Sequence, residues 1–251
     1  MRVSVITVSF NSVETIENTI LSVLSQSYDD IEYLLIDGDS SDGTQEIILK
    51  FASKLSVVIS EPDSGLYDAM NKGISLATGE LILLLNSDDI FYNRKVVQNI
   101  VDFHTVRNVD CSVGNVVQVS KFGEVRRKYS SRNWTPNKLN VGMMPPHPSV
   151  VLKRELFVRY GNYNLNFKIA ADYELLIRYF IKHQISWEYS GITTTSMSIG
   201  GLSSSGIGSY LVISNEIVRA LSMNNVRHWK GIIYFRLIRK LFDLRFSLGK
   251  S

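Results

Sequence analysis

Apolar positions divide the first part of the chain into alternating strands and helices. Val3 to Phe10 is a β-rich run, after which Ile16, Ile20, Val23 and Leu24 recur at helical spacing within Asn11 to Gln26. Asn11, followed three residues later by Glu14, has the form of a capping box and predicts where that helix starts. Glu32 to Asp37 predicts a second strand, Gly38 to Gly43 a polar turn, and Thr44 to Ser53 a helix with Ile47, Ile48 and Phe51 facing inward. Leu55 to Ser60 reads as a third strand, Tyr67 to Ala77 as a third helix, and Glu80 to Leu85 as a fourth strand. The aliphatic run Leu81 to Leu85, bounded by Gly79 and by Asn86-Ser87-Asp88-Asp89, suits a strand buried on both faces. This succession predicts a mainly parallel sheet with right-handed crossovers.

The pattern then changes. Asn93 to His104 predicts a helix, and Ser112 to Val119 with Glu124 to Tyr129 predicts a hairpin around Lys121-Phe122-Gly123. Ser130 to Pro148 is irregular, broken by Pro136, Pro145, Pro146 and Pro148, and loops of that length beside a sheet tend to be functional. Val150 to Tyr160 and Ala171 to His183 read as helices, and Ser186 to Ser190 as one more strand. Gly200 to Gly208 suits either a flap or a linker. From Trp229 to Phe246, Ile233, Leu237, Ile238, Leu241 and Leu244 share one helical face, while Arg236, Arg239, Lys240 and Asp243 share another. Such a basic amphipathic helix can lie on an anionic membrane or pack on its own domain.

Composition narrows the class without choosing a function. The chain has 251 residues, 45% apolar and 20% charged, enough for one large α/β domain with an appendage and with no membrane-spanning run. A net charge of +3 is too small to argue for nucleic acid, although the basic excess gathers after Val226. The amino terminus enters a strand at once, without the features of a signal peptide. Cys111 cannot form an internal disulfide and fits a reducing compartment, so a cytoplasmic location is expected.

Chemistry concentrates where strands end. Asp37 and Asp39 follow the second strand, Glu61 and Asp63 the third, and Asp88 and Asp89 the fourth. Ligands of open α/β sheets bind outside those ends. An acidic rim repels a nucleotide phosphate unless a divalent cation intervenes, and hard oxygen donors suit Mg²⁺ or Mn²⁺. Solvated turns are the bland alternative for each cluster, because Asp, Gly and Ser favour turns for backbone reasons alone. Lys72 can be a surface lysine or reach a phosphate. There is no phosphate loop of the Gly-x-x-x-x-Gly-Lys type and no Gly-x-Gly-x-x-Gly after the first strand.

Four stretches taken in order, Val3 to Asn11, Ile36 to Thr44, Glu61 to Gly73 and Asn86 to Asp89, resemble family 2 glycosyltransferases of the GT-A fold. The likeness is greatest to bacterial enzymes of surface-polysaccharide assembly, including the colanic acid type, and spans roughly residues 2 to 180. It implies inverting, nonprocessive transfer of a sugar from a nucleoside diphosphate, UDP by default, with Mn²⁺ or Mg²⁺. The resemblance implies donor contacts from Thr7, Ser9, Asn11, Asp37, Asp63, Asp68, Asn71, Lys72 and Asp88. Asp37 would meet the base, and Asp89 with Asp88 would hold the metal. Asp172, in Ala170-Ala-Asp-Tyr-Glu-Leu-Leu-Ile-Arg178, matches the aspartate of the family's base motif, with Glu174 as fallback and Ala171 replacing the usual preceding acid. His147 and Arg178 are implied on the acceptor side.

The expected organisation is a GT-A domain over 1–200, with a nucleotide-binding half to about 105 and an acceptor half to 200, then a helical extension over 201–251. The expected acceptor is a lipid-linked saccharide, and peripheral contact with the inner membrane would come from the basic helix. Two alternatives stand beside this reading. A sugar nucleotidyltransferase normally shows a glycine-rich Gly-x-Gly-x-Arg loop near the first strand, which Val3 to Asn11 lacks; a catalytically silent assembly protein has no need of Asp37, Asp89 and Asp172 together.

Overall fold

The computed structural model describes residues 1–120, 123–198, 206–229, 231 and 233. The chain separates into two units. One comprises residues 1–133, 145–165 and 185–199, and the other 134–144, 166–184 and 200–251.

In the first unit β1 (Val3–Ser9) is buried along its whole length because it lies between two parallel neighbours. It leads to α1 (Ile16–Leu24), β2 (Ile31–Asp37), α2 (Thr44–Phe51), β3 (Val57–Ser60), α3 (Leu66–Leu76) and β4 (Leu81–Asn86). A short β5 (Asp89–Phe91) follows, then α4 (Val96–Arg107), β6 (Cys111–Val119), β7 (Val125–Ser130), β8 (Val150–Lys153), α5 (Arg154–Tyr160) and β9 (Trp187–Ser198). The sheet order is β3-β2-β1-β4-β8-β6-β9-β5, with β7 also paired to β6. The first four strands are parallel, as the strand and helix rhythm predicts, whereas β8 is antiparallel to both β4 and β6.

Side chains alternate between the two faces of the parallel part. Val3, Val5, Tyr33, Leu35, Leu81, Leu83 and Leu85 pack with Ile16, Ile20, Ile48, Val97 and Ile100 of the helices on one side. On the other side α3 approaches closely at Gly73, where an added Cβ would stand 2.5 Å from Ile6 Cγ2. At the amino-terminal edge, buried Glu32 accepts hydrogen bonds from Ser4 Oγ (2.5 Å), Thr78 N (2.7 Å) and Thr78 Oγ1 (2.7 Å), fixing the turn from α3 into β4. Those bonds hold its carboxyl below its ordinary range against the opposing effect of burial.

Three expectations change. The first helix begins at Ile16 behind Thr15, and Asn11 takes a left-handed conformation (φ 48°), so no Asn11–Glu14 capping box forms. Val150 to Tyr160 is a strand and then a helix, since a short apolar run such as Val150-Val-Leu152 lacks a distinguishing period. The strand expected over Ser186 to Ser190 extends to Ser198, and β5 begins within the acidic cluster itself. The amphipathic face proposed for Trp229 to Phe246 lies almost wholly outside the described residues. No helix among the described residues is long and apolar enough to cross a membrane.

The second unit contains α6 (Ala171–Leu176), which continues into a π-helical turn at Ile177–Lys182, and α7 (Gly206–Met223). Trp134 meets the ring of Phe180 edge-on at 5.2 Å, and the Tyr173 hydroxyl donates to the Leu139 carbonyl. Glu216 of α7 accepts three successive backbone N–H groups, from Lys168 (2.7 Å), Ile169 (2.9 Å) and Ala170 (2.8 Å), directly before α6.

Candidate functional site

The carboxyl ends of β1, β2 and β3 bring Ser9, Asp37 and Ser60 into one row. Asp37 is fully buried. Its Oδ1 accepts from Ser9 Oγ (2.8 Å) and Ser40 Oγ (2.6 Å), and its Oδ2 from Ser40 N (2.9 Å) and Ser60 Oγ (2.8 Å). Four donors occupy the lone-pair directions of a carboxylate. In this network Asp37, for which the family resemblance implied a contact with the base, ties three strand ends together. Ser9 is spent on the same network, and Thr7, also fully buried, pairs with the Tyr33 hydroxyl at 3.1 Å. Asn11 joins the tie, its N–H donating to Ser40 Oγ (2.8 Å) and its Oδ1 accepting from Ser41 N (3.1 Å).

Above Asp37 the surface belongs to Gly38, Asp63 and Phe10. A Cβ on Gly38 would stand 2.6 Å from Asp63 Oδ2 and 3.4 Å from Phe10 Cδ2, so the missing side chain makes room for the Asp63 carboxylate. Asp63 Oδ1 accepts from Gly65 N at 2.7 Å, which aims the other oxygen over Gly38. Phe10 is 64% exposed at the end of an otherwise buried strand. A bare aromatic face beside a carboxylate is suited to stacking and hydrogen-bonding a planar base. Sequence reasoning left Phe10 out; the available signal was an aromatic residue between the buried strand and Asn11. Asp39 (φ 63°) and Asp42 belong to the turn, where Asp42 accepts from Thr44 Oγ1 at 2.6 Å.

On α3, Asp68, Asn71 and Lys72 line a cavity of about 410 Å³ together with Glu61. Lys72 Nζ lies 2.8 Å from Glu61 and 3.1 Å from the Pro62 carbonyl, and the Glu61 bond raises its pKa. Glu61 therefore competes with a phosphate for Lys72. Asp68 Oδ2 accepts from Ser64 N (3.0 Å). Asn71 binds both the N–H and the carbonyl of Tyr163 at 2.9 Å, which gives it an anchoring task rather than the donor contact expected of it. Tyr163 stacks on Tyr67 (5.4 Å), and its hydroxyl lies 2.9 Å from His147 Nε2, so His147 is held to this same helix.

Asp88 and Asp89 stand at the end of β4. Asp88 is half-buried and accepts Ser198 Oγ at its carbonyl (2.9 Å), while Asp89 is buried in β5 opposite Met197. Thr19 Oγ1 clamps the carbonyls of Ser87 (2.9 Å) and Asp89 (2.8 Å). Burial, and then the charge of Asp88, push the Asp89 carboxyl up to about 7; its side-chain contact with Asn86 Nδ2 is long, at 3.4 Å. Among the described residues no group of three or more His, Cys, Asp or Glu gathers as a metal cage. Asp88 and Asp89 would nevertheless supply hard oxygen donors to a divalent ion that completes its shell with water and substrate phosphates.

The remaining expected residues lie in the second unit. Asp172 opens α6 half-buried, with Oδ1 accepting its neighbour's N–H at 2.7 Å. Glu174 is buried and forms a bidentate pair with Arg178 (3.1 and 3.0 Å), and Asn224 Nδ2 adds a third bond at 3.2 Å. Glu174, the fallback base of the family resemblance, and Arg178, implied on the acceptor side, are thus partners of one another.

Residues 4–168 match the family model "Glycosyl transferase family 2". The chain belongs to the family 2 glycosyltransferases and is a transferase of the GT-A type. It is 27% identical over 248 residues to a PGL/p-HBAD biosynthesis glycosyltransferase of Mycobacterium bovis, covering 92% of this chain and 91% of that one. It is 32% identical over 182 residues to the Escherichia coli UDP-Glc:alpha-D-GlcNAc-diphosphoundecaprenol beta-1,3-glucosyltransferase WfgD, covering 68% and 70% of the two chains. Among solved structures, S. aureus TarS 1-349 in complex with UDP-GlcNAc is similar over 98% of this chain and 73% of that one, with TM-score 0.71 and 18% identity. A Pyrobaculum calidifontis mannosyltransferase with GDP-Man and Mn²⁺ gives TM-score 0.64 at 18% identity, covering 94% and 69%.

Proposed function

We propose that the chain transfers a sugar, with inversion and without processivity, from a UDP-sugar to a hydroxyl of a lipid-linked saccharide in bacterial surface-polysaccharide assembly. The observation that carries the reading is the edge of the parallel sheet, where Phe10 and Asp63 stand over Gly38 and half-buried Asp88 with buried Asp89 follows β4. A uracil ring stacks on Phe10 and offers its imide N–H to Asp63. Asp88 and Asp89 hold a divalent cation, which supplies charge neutralisation for the departing diphosphate. Asp172 accepts the proton of the acceptor hydroxyl as it attacks, because a hydroxyl is a weak nucleophile at neutral pH. The WfgD relative, whose acceptor is a GlcNAc-diphosphoundecaprenol, supports a lipid-borne acceptor.

The test is calorimetric titration with UDP, GDP, dTDP and CDP, with and without Mn²⁺, on the parent chain and on Gly38→Ala and Asp63→Ala. Selective, Mn²⁺-dependent UDP binding weakened at least about tenfold in both variants is expected, from one lost charge-assisted hydrogen bond. Equal binding of all four nucleotides, or full UDP affinity in both variants, overturns the assignment.

A further inference from the structure

Strand β7 carries a concentration of charge that sugar transfer does not use. Between Gly123 and Arg132 there are four cations, Arg126, Arg127, Lys128 and Arg132, and one acid, Glu124. All five are exposed, as is Val125. Glu124 is paired with Arg126 at 2.8 Å, and the Arg127 guanidinium lies over Tyr129, 4.8 Å from the ring centroid. Among the described residues the strand's backbone pairs only with β6. The pairing shifts between Gln118 and Val119, which face Arg127 and Val125, so Arg126 is an extra, bulged residue; beyond the bulge Arg127 and Lys128 are consecutive and project to opposite faces. Cations on both faces of an outer strand cannot converge on one small anion; they suit an extended anionic surface met edge-on.

The sheet register connects this edge to the site. Asp89 pairs with Met197, Met197 with Gln118, and Gln118 with Arg127. Cross-strand partners share a face, which puts Arg127 on the side of the sheet that carries the Asp89 carboxylate. Three strand spacings separate the two backbones, roughly 14 Å. An anionic surface seated on β7 therefore lies within about a saccharide's length of the candidate metal carboxylates.

We propose that β7 is a docking edge for an anionic phospholipid bilayer, held through lipid phosphates by Arg126, Arg127, Lys128 and Arg132. The contact is electrostatic and salt-sensitive, and Tyr129 sits at headgroup depth. It stands independently of the donor and of the base assigned to Asp172.

Vesicle co-sedimentation tests it, using phosphatidylcholine with and without phosphatidylglycerol. Three chains are compared: the parent; the β7 variant Arg126→Gln, Arg127→Gln, Lys128→Gln; and the control Lys50→Gln, Lys54→Gln, Arg159→Gln, which removes the same charge from exposed positions elsewhere. Circular dichroism establishes that each is folded. The parent is expected to bind only vesicles containing phosphatidylglycerol. The β7 variant should partition about tenfold or more weakly and the control as the parent does. Equal loss in both variants assigns the effect to net charge and overturns the proposal. Loss in neither moves the contact to another segment, such as the basic sequence after Val226, and overturns it equally. Tighter binding of the parent to a single-stranded oligonucleotide than to the anionic vesicles overturns it in favour of nucleic acid.

Discussion

Replacing Asp37 by alanine separates a scaffold carboxylate from a ligand-binding one. The change removes the common acceptor of Ser9 Oγ, Ser40 Oγ, Ser60 Oγ and Ser40 N. The hydroxyls can turn toward other acceptors, but the Ser40 amide is fixed by its backbone and stays orphaned in a buried place. One orphaned donor costs about 1–3 kcal/mol, and three weakened charge-assisted bonds bring the expected loss to roughly 3–5 kcal/mol. That is a large part of the stability of an ordinary domain. Urea unfolding followed by circular dichroism reads it, with Ser60→Ala and the double variant completing a cycle. Ser60→Ala alone should cost about 1 kcal/mol and almost nothing once Asp37 is gone, a coupling expected only of partners in one network. If Asp37→Ala keeps the parent midpoint and loses only UDP affinity, the carboxylate faces the ligand and the buried-tie account is wrong.

Further consequences are as direct. His104, buried beside Ser112 Oγ (2.9 Å) with its pKa lowered to about 4 by burial and then by Lys153, folds in its neutral form. Its folded pKa lies below the unfolded value near 6.5, so stability is complete above that value and falls as the solution is acidified toward 4; between pH 7 and 5 the loss is about 2 kcal/mol. His104→Gln should flatten that part of the urea-midpoint profile, and an unchanged slope contradicts it. Asp89→Ala should abolish Mn²⁺-dependent UDP binding in calorimetry while leaving the thermal midpoint no lower, because burial and the charge of Asp88 outweigh the bonds its carboxyl accepts from Asn86 and the Ser198 backbone. Asp172→Asn should keep UDP affinity and lose transfer about 10²- to 10⁴-fold, whereas full transfer excludes it as the base. Glu216→Gln should slow transfer roughly 10- to 100-fold at unchanged donor affinity by releasing the backbone ahead of Asp172, and should add nothing in the Asp172→Asn background.

The parallel half of the sheet was legible in the sequence because its signals are local. Val3 to Ser9 and Leu81 to Leu85 are aliphatic runs that only a doubly covered strand can bury, and the intervening helices keep a clear period. Strand ends followed by Gly, Ser and Asp marked the ligand edge for the same reason. Local pattern could not divide the labour among the carboxylates found there. Asp37 and Asp63 are both acids after a strand; one is buried because Ser9, Ser40 and Ser60 converge on it from three segments, and the other is presented because Gly38 yields it space. Asp89 lies in a strand paired with Met197, more than 100 residues away in sequence, and its burial there, followed by the charge of Asp88, raises its pKa. Likewise Val150 to Lys153 became a strand because β4 and β6 each offered it an edge, a choice made by neighbours and not by period. The sequence determined which residues could do chemistry, since residue type and strand position are written locally. Tertiary structure decided which of them meet solvent, because hydrogen-bond saturation and burial depend on partners distant in the chain.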